Sequence, residues 1–239
     1  TSCRTTNALD AFLMIRRPPR STRKESSAAS DVYKRQDEWF AVRMGKITAS
    51  KLGDLMRVTK YGESTYKTRL RLELAIERIT GKSASPNFMN QAMHDGIERE
   101  PDARKLFEAI TGKEVALCGS FDHPDIVNTS ASPDGLLRGE DAVLEIKCPT
   151  HITHAKNLLS EKMPKNYEYQ VQWQIACTES EYAYFASYHP DFPPELRLKW
   201  VKVLRDNDMI LEIEDEVRKF DVEVEELINQ LKKGANKNG

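Results

Sequence analysis

Very little in this chain could staple it together or anchor it in a membrane. Its four cysteines, Cys3, Cys118, Cys148 and Cys177, form no CxxC pair and have no His/Cys zinc spacing. Reduced thiols in a cytosolic setting are therefore expected, rather than a disulfide framework. No apolar run approaches the roughly 18 residues of a membrane span, and no signal-peptide pattern is evident. Charge of one sign is also lacking, with 36 Lys/Arg against 37 Asp/Glu. There is no internal repeat. What is present, 39% hydrophobic and 31% charged residues over 239 positions, fits a globular protein able to bury a substantial core.

The charge is unevenly placed. Residues 1–36 carry eight Lys/Arg against three Asp/Glu, a net of +5, which leaves 37–239 at −6. Residues 11–36 follow neither a helical nor a strand period, and their Pro-Pro, serine and basic content reads as disorder. They also resemble translated adaptor tracts at the ends of assembled metagenomic reads. We read 1–36 as a non-native adaptor-like tract, ahead of a basic DNA-gripping arm, and 37–239 as a single domain. Residues 206–226 hold ten acids and two bases. Residues 227–239 add three bases, so 37–205 stand at −1, and a body this close to neutral is not the footprint of a nonspecific nucleic-acid coat. It suits a protein that gathers positive residues in a channel and keeps an acidic exterior.

Pattern and punctuation give the scaffold. Thr48 is placed to cap a helix running to about Met56, and Ser64 one running to Thr80 with Gly81 as its stop. A third helix is expected over 87–110, disturbed at Pro101. Strands near 114–121, 126–131 and 142–147 follow. Next come helices near 151–160 and 166–178, strands near 181–188 and 196–204, and an acidic helix over 206–233.

The chemistry concentrates in Ser132-Pro133-Asp134-Gly135 and Glu145-Ile146-Lys147-Cys148-Pro149. In residues 142–147 the strand period of two puts Glu145 and Lys147 on one face with Val143, and Leu144 and Ile146 on the other, toward a core. A hairpin would bring Asp134 opposite Glu145. Two carboxylates and a lysine meeting there suit metal-assisted phosphodiester hydrolysis. Mg²⁺ takes hard oxygen ligands and keeps several waters, so one or two carboxylates plus substrate phosphate suffice. The Ile146 carbonyl can supply a further oxygen. Lys147 can orient or deprotonate a water and offset charge on phosphate. By spacing alone this is weak, because acidic turns and Glu-Lys pairs are common on solvated surfaces.

Further blocks accompany these two: Asp37-Glu38-Trp39 with Arg43-x-Gly45-x-Ile47-Thr48-Ala49-Ser50; Glu100-x-Asp102-Ala103-Arg104-x-Leu106-Phe107-Glu108; and Gln170-Val171-Gln172 with Tyr184-Phe185-Ala186-x-Tyr188. With them, nearly everything from Asp37 onward resembles the phage lambda exonuclease family, the YqaJ-type viral recombinases of the PD-(D/E)XK nuclease superfamily. The resemblance implies an α/β, restriction-endonuclease-like core with a central mixed sheet flanked by helices. It implies Mg²⁺-dependent 5′→3′ digestion of one strand of linear duplex DNA, leaving 3′ tails for recombination by strand annealing. Mn²⁺ is the alternative metal, and two ions are expected. Asp134, Glu145 and the Ile146 carbonyl would hold metal, with Glu100 assisting a second ion. Lys147 would activate the attacking water, and Gln170 would help to position it. Arg43, Ser50 and Ser132 would hold a 5′ phosphate. The implied partners are double-stranded DNA ends, a phage single-strand annealing protein and two further copies in a ring-shaped trimer, in the cytoplasm of a bacterial host or phage-infected cell. Some related nucleases carry a four-cysteine iron–sulfur cluster, which three cysteines beyond residue 36 do not support. The alternatives are an endonuclease or structure-specific nuclease on the same fold, or a DNA-end-binding module that does not cleave.

By the residues alone, Glu100 shares its stretch with Glu98, Asp102 and Glu108 and reads equally as part of a solvated face. Gln170 and Gln174 share a helical face, as surface glutamines also would. His151 and His154, at i and i+3, have the spacing of a metal pair but no third ligand, and are read as helix-surface or DNA-backbone residues. His94, His123 and His189 carry no usable signal. Trp39 is left unassigned.

Overall fold

The computed structural model describes residues 41–60, 62–84 and 91–235. The tract 1–36, the block at 37–39 and the expected helix start at 87 lie outside the described residues. Strand β1 (Ile47–Thr48) passes through a 3-10 turn (Ala49–Lys51) into α1 (Leu52–Leu55). Then come β2 (Val58–Thr59), β3 (Gly62–Glu63), α2 (Thr65–Thr80) and α3 (Gln91–Thr111). Four short strands follow, β4 (Val115–Ala116), β5 (Phe121–Asp122), β6 (Thr129–Ala131) and β7 (Gly135–Leu137), and then β8 (Ala142–Lys147). The chain continues through α4 (His151–Leu158), a 3-10 turn (Lys165–Tyr167), α5 (Glu168–Thr178), β9 (Tyr182–Tyr188), β10 (Leu198–Leu204) and α6 (Asn207–Ala235). The described residues pack as two compact units, one drawn from 1–84, 119–132 and 214–239, the other from 85–118 and 133–213.

The second unit is built on a five-stranded sheet in the order β10-β9-β8-β7-β4. It is mixed, as expected: β8 and β9 run parallel, and the other pairs are antiparallel. Leu144 and Ile146 enter the core on one face, with Ala103 and Phe107 of α3 and Tyr184 of β9. Val143 and Glu145 point the other way, toward α5, whose residues 171–178 are all buried. Helices on both faces bury five of the six β8 residues, as a strand at the parallel heart of a sheet requires.

Two strand expectations need correction. The strand over 114–121 is two separate pieces, β4 and β5, in different sheets, and the one over 126–131 shortens to β6. Strand β7 was not foreseen, because three residues are too few to show a period. Gly135 explains how it fits. A Cβ there would lie 2.3 Å from Val115 Cγ1, so only glycine lets β4 pass this close.

In the first unit β1, β6 and β5 form a small sheet. Ser64 caps α2, its hydroxyl accepting the Tyr66 N–H, and Gly81 ends the helix in the left-handed region at φ +64. Thr48 does not cap. A 3-10 turn intervenes, and its hydroxyl lies 3.3 Å from Ser50 Oγ instead. From Glu214 onward α6 buries Val217, Phe220, Val224 and Ile228 at helical spacing. Its acids face bases of α2: Glu216 meets Lys67 at 2.5 Å, Glu223 meets Arg71 at 2.8 Å, and Asp221 and Glu225 meet Arg78 at 2.6 and 2.8 Å.

His154 corrects the reading of the α4 histidines as surface residues. It is fully buried, within a chain of hydrogen bonds. Asn157 Nδ2 donates to Ser187 Oγ, the Ser187 hydroxyl donates to His154 Nδ1, and His154 Nε2 donates to the Leu196 carbonyl at 2.8 Å. Burial pushes the His154 pKa below the ordinary 6.5, opposed in part by the Leu196 carbonyl. The unfolded chain therefore binds this proton more readily, so the stabilisation is complete above about pH 6.5 and is lost as pH falls below it. Urea unfolding should show stability falling as pH is lowered from about 6.5, less steeply in His154→Gln. Gly135→Ala should lower stability by about 1–3 kcal/mol, read from the urea midpoint, by forcing β4 and β7 apart.

Candidate active site

The site grows from β8. Because Leu144 and Ile146 must enter the core, Glu145 is driven to the opposite face and into the protein, where 1% of it is exposed. A carboxylate there needs hydrogen-bond donors, and three reach it. Gln170 Nε2 and Lys147 Nζ each lie 2.5 Å from Oε1, and Gln174 Nε2 lies 2.5 Å from Oε2. The two glutamines stand one turn apart on α5 and close on the two oxygens like a fork. Lys147 also lies 5.2 Å from the ring centroid of Tyr167, which stacks on Phe185.

Asp134 joins from the chain entering β7. Its N–H donates to the Leu144 carbonyl at 2.9 Å, and its Oδ2 accepts the Ile146 N–H at 2.6 Å. Asp134 thus brackets Glu145 from the backbone side. In an extended strand the N–H and C=O of one residue leave by the same edge, which sends the Ile146 carbonyl toward Asp134. Glu100, on α3, is ion-paired with Arg104 one turn on.

These groups are near enough to act on one another through their charges. Burial raises the Asp134 carboxyl well above its usual range, and the neighbouring charges of Glu145 and Glu100 add to the rise. Glu100 is raised too, by burial first and by Glu145, against the lowering influence of Arg104. Burial alone would lower the Lys147 ammonium, but Glu145 and Asp134 outweigh it and raise its pKa, so it stays protonated. The Cys148 thiol is pushed up to about 12 by burial and by Glu100 and Asp134, which keeps it neutral. Carboxylates that raise one another's pKa are a donor set short of positive charge. With oxygen donors alone, the set fits a hard divalent cation such as Mg²⁺ or Mn²⁺.

The predicted residues fall into two groups. Asp134, Glu145, Ile146, Lys147 and Gln170 belong to the second unit and the contacts above bring them together; Glu100, in the same unit, touches Arg104 and reaches the others only through its charge. Arg43, Ser50 and Ser132 belong to the first. There Arg43 Nη2 donates to Ser50 Oγ at 3.2 Å. Ser132 Oγ is buried with no hydrogen-bond partner among the described residues. Sequence reasoning gave Gln174 no role of its own and passed over Arg104 and Tyr167. The i, i+4 spacing of Gln170 and Gln174 was the available signal, but it does not show which way the face points.

The family-model comparison matches residues 38–181 to the YqaJ-like viral recombinase domain. This chain belongs to that family. A crystal structure of an alkaline exonuclease from Laribacter hongkongensis is 37% identical, covering 85% of this chain and 100% of its own, with a TM-score of 0.77. The structure of that enzyme in complex with dAMP matches at 38% identity over the same shares, with a TM-score of 0.78. A phage-related exonuclease from Haemophilus somnus 129PT shares the fold at 16% identity, covering 78% of this chain and 96% of its own, with a TM-score of 0.64. No curated protein sequence matches the chain.

Both glutamines donate to one carboxylate, so the effects of removing them should not multiply. Gln170→Leu and Gln174→Leu should each cut DNA digestion by roughly 10- to 150-fold, since losing a hydrogen bond to a charged group costs about 1.5–3 kcal/mol. The double variant should fall short of the product of the two losses in a double-mutant cycle of initial rates.

Proposed function

We propose that this chain is a Mg²⁺-dependent nuclease that digests one strand of linear duplex DNA from the 5′ end and leaves 3′ single-stranded tails. Family membership and the likeness to an alkaline exonuclease support the nuclease reading. The observation that carries it is the convergence of Lys147 and two glutamine amides on the buried Glu145, with Asp134 held on the N–H of the next residue, Ile146. Asp134, Glu145 and the Ile146 carbonyl would hold the cation, and Glu100 would assist a second. When bound, the metal would supply Lewis-acid stabilisation of the charge that develops on the scissile phosphate.

The side chains divide the remaining work. Lys147, kept as an ammonium by Glu145 and Asp134, would orient the attacking water and offset negative charge on the phosphate. Gln170 and Gln174 would fix the Glu145 carboxylate without neutralising it. Arg43 would bind a terminal 5′ phosphate through its guanidinium fork, with Ser50 and Ser132 donating hydroxyls. The buried, unpartnered Ser132 Oγ supports that role, since such a hydroxyl is costly unless something binds it. Polarity would follow from the preference for that end group. The resemblance further supports a ring-shaped homotrimer and delivery of the tails to a phage single-strand annealing protein.

The test uses end-labelled linear duplexes with and without a 5′ phosphate, beside covalently closed circular DNA. Mg²⁺-dependent release from the 5′-phosphorylated strand is expected, with slower release from the unphosphorylated one and the circle left uncut. Lys147→Ala should abolish digestion yet still bind DNA ends in a gel-shift assay. Cutting of the circle would replace this reading with an endonuclease, and undiminished digestion by Lys147→Ala would refute the site.

A further inference from the structure

The pair His151 and His154 looked like two metal ligands without a third. The fold breaks that pair and builds another set. Both nitrogens of His154 are spent on Ser187 and Leu196. His151, at the first position of α4, turns instead toward His189 and Asp191, just beyond the end of β9. We propose that His151, His189 and Asp191 form a second cation site, suited to a borderline transition metal such as Zn²⁺ rather than to the hard cation that fits the carboxylate cluster. This proposal does not rest on the nuclease reading.

The geometry carries it. One ligating atom from each of the three residues lies within 4.8 Å of the others. His151 Nε2 is 3.0 Å from Asp191 Oδ2, and His189 Nδ1 is 3.9 Å from the same oxygen. The two imidazole rings stand with centroids 3.9 Å apart. Zinc binds imidazole nitrogen at about 2.0–2.1 Å, so two ligands on a tetrahedral ion lie about 3.3 Å apart. The first separation is already near that value, and the second closes with a small turn of the Asp191 side chain. The side chains of His151 and Asp191 are 64% and 62% exposed and free to make such a turn.

His189 is the fixed member, 1% exposed. The Asp191 N–H donates to its Nδ1 at 3.3 Å, which puts the ring proton on Nε2; an ion would take the Nδ1 lone pair in place of this long hydrogen bond. Two imidazoles and one carboxylate leave a fourth position for water, the pattern of an open zinc site. The other His/acid group among the described residues, His94, Asp95 and Glu98, lies along one helix and has no buried member.

The position gives the site a consequence. Lys147 pairs with Ser187 across β8 and β9, and His151 and His189 follow on the segments that leave those two strands. An ion there would tie the start of α4 to the end of β9 and brace the exits from the strands that hold Lys147.

The test uses untagged, chelator-stripped full-length protein in excess Mg²⁺, titrated with Co²⁺. Wild type should develop the visible absorption of tetrahedral cobalt at one equivalent, bleached by Zn²⁺, and Zn²⁺ should raise its Tm. His151→Ala and Asp191→Ala change exposed side chains, so both should fold, and each should weaken binding by about tenfold or more. Glu145→Gln should keep the cobalt signal. Absence of the signal in wild type, its persistence at equal affinity in both variants, or its loss in Glu145→Gln would each overturn the proposal.

Discussion

A carboxylate sealed inside a protein has to be held by donors, and the second unit is arranged around one such group. Glu145 sits on the strand that the core needs most, with Leu144 and Ile146 filling one face. Its own direction is then not negotiable, because the strand period sends it to the other side. That fixes where α5 can lie: close enough for Gln170 and Gln174 to reach both oxygens, with Lys147 on the same oxygen as Gln170. The choice of glutamine matters. An arginine fork would have satisfied the carboxylate and cancelled its charge. Neutral amides orient it and add no charge beyond that of Lys147, so after burial, which is the larger cause, the Glu145 charge still helps to raise the Asp134 and Glu100 pKa values. A set of groups strained by their own repulsion is one that a cation stabilises on arrival.

The acidic helix obeys a different logic. By composition, residues 206–226 look like an exterior that repels DNA. In the first unit, Glu216, Asp221, Glu223 and Glu225 instead meet Lys67, Arg71 and Arg78, which are largely buried against them. Long basic side chains laid between two helices contribute packing as well as charge. Formal net charge is therefore a poor guide to the potential that a nucleic acid would meet, since acids and bases already matched to one another contribute little to it.

What could be read from the sequence was whatever is local and periodic. The alternation in 142–147 gave the faces of β8 correctly, and a Ser cap with a Gly stop gave the bounds of α2. Asp134 and Glu145 could be joined because a hairpin is the shortest route between them. Other features depend on partners distant in sequence. Gln174 has meaning only once α5 is laid over β8, and β7 is too short to show a period. Spacing of i and i+3 put His151 and His154 near each other on α4 without saying that one faces the core and the other a loop beyond β9. Thr48 failed as a cap because a tight 3-10 turn, indistinguishable by composition from a helix start, follows it.

Two chemically distinct clusters thus stand on the same pair of parallel strands. On β8, oxygen donors and a lysine gather inside the sheet's covered face. Beyond β9, imidazoles and an aspartate gather where the strand gives way to a loop. Between them lies the buried chain Asn157, Ser187, His154 and the Leu196 carbonyl, which locks the His154 ring and so the orientation of α4. Since His151 is one turn before His154 on that helix, the same lock aims His151 at His189. Loosening it would disturb the imidazole cluster first. The carboxylate cluster would follow only as far as Ser187 holds the strand position opposite Lys147.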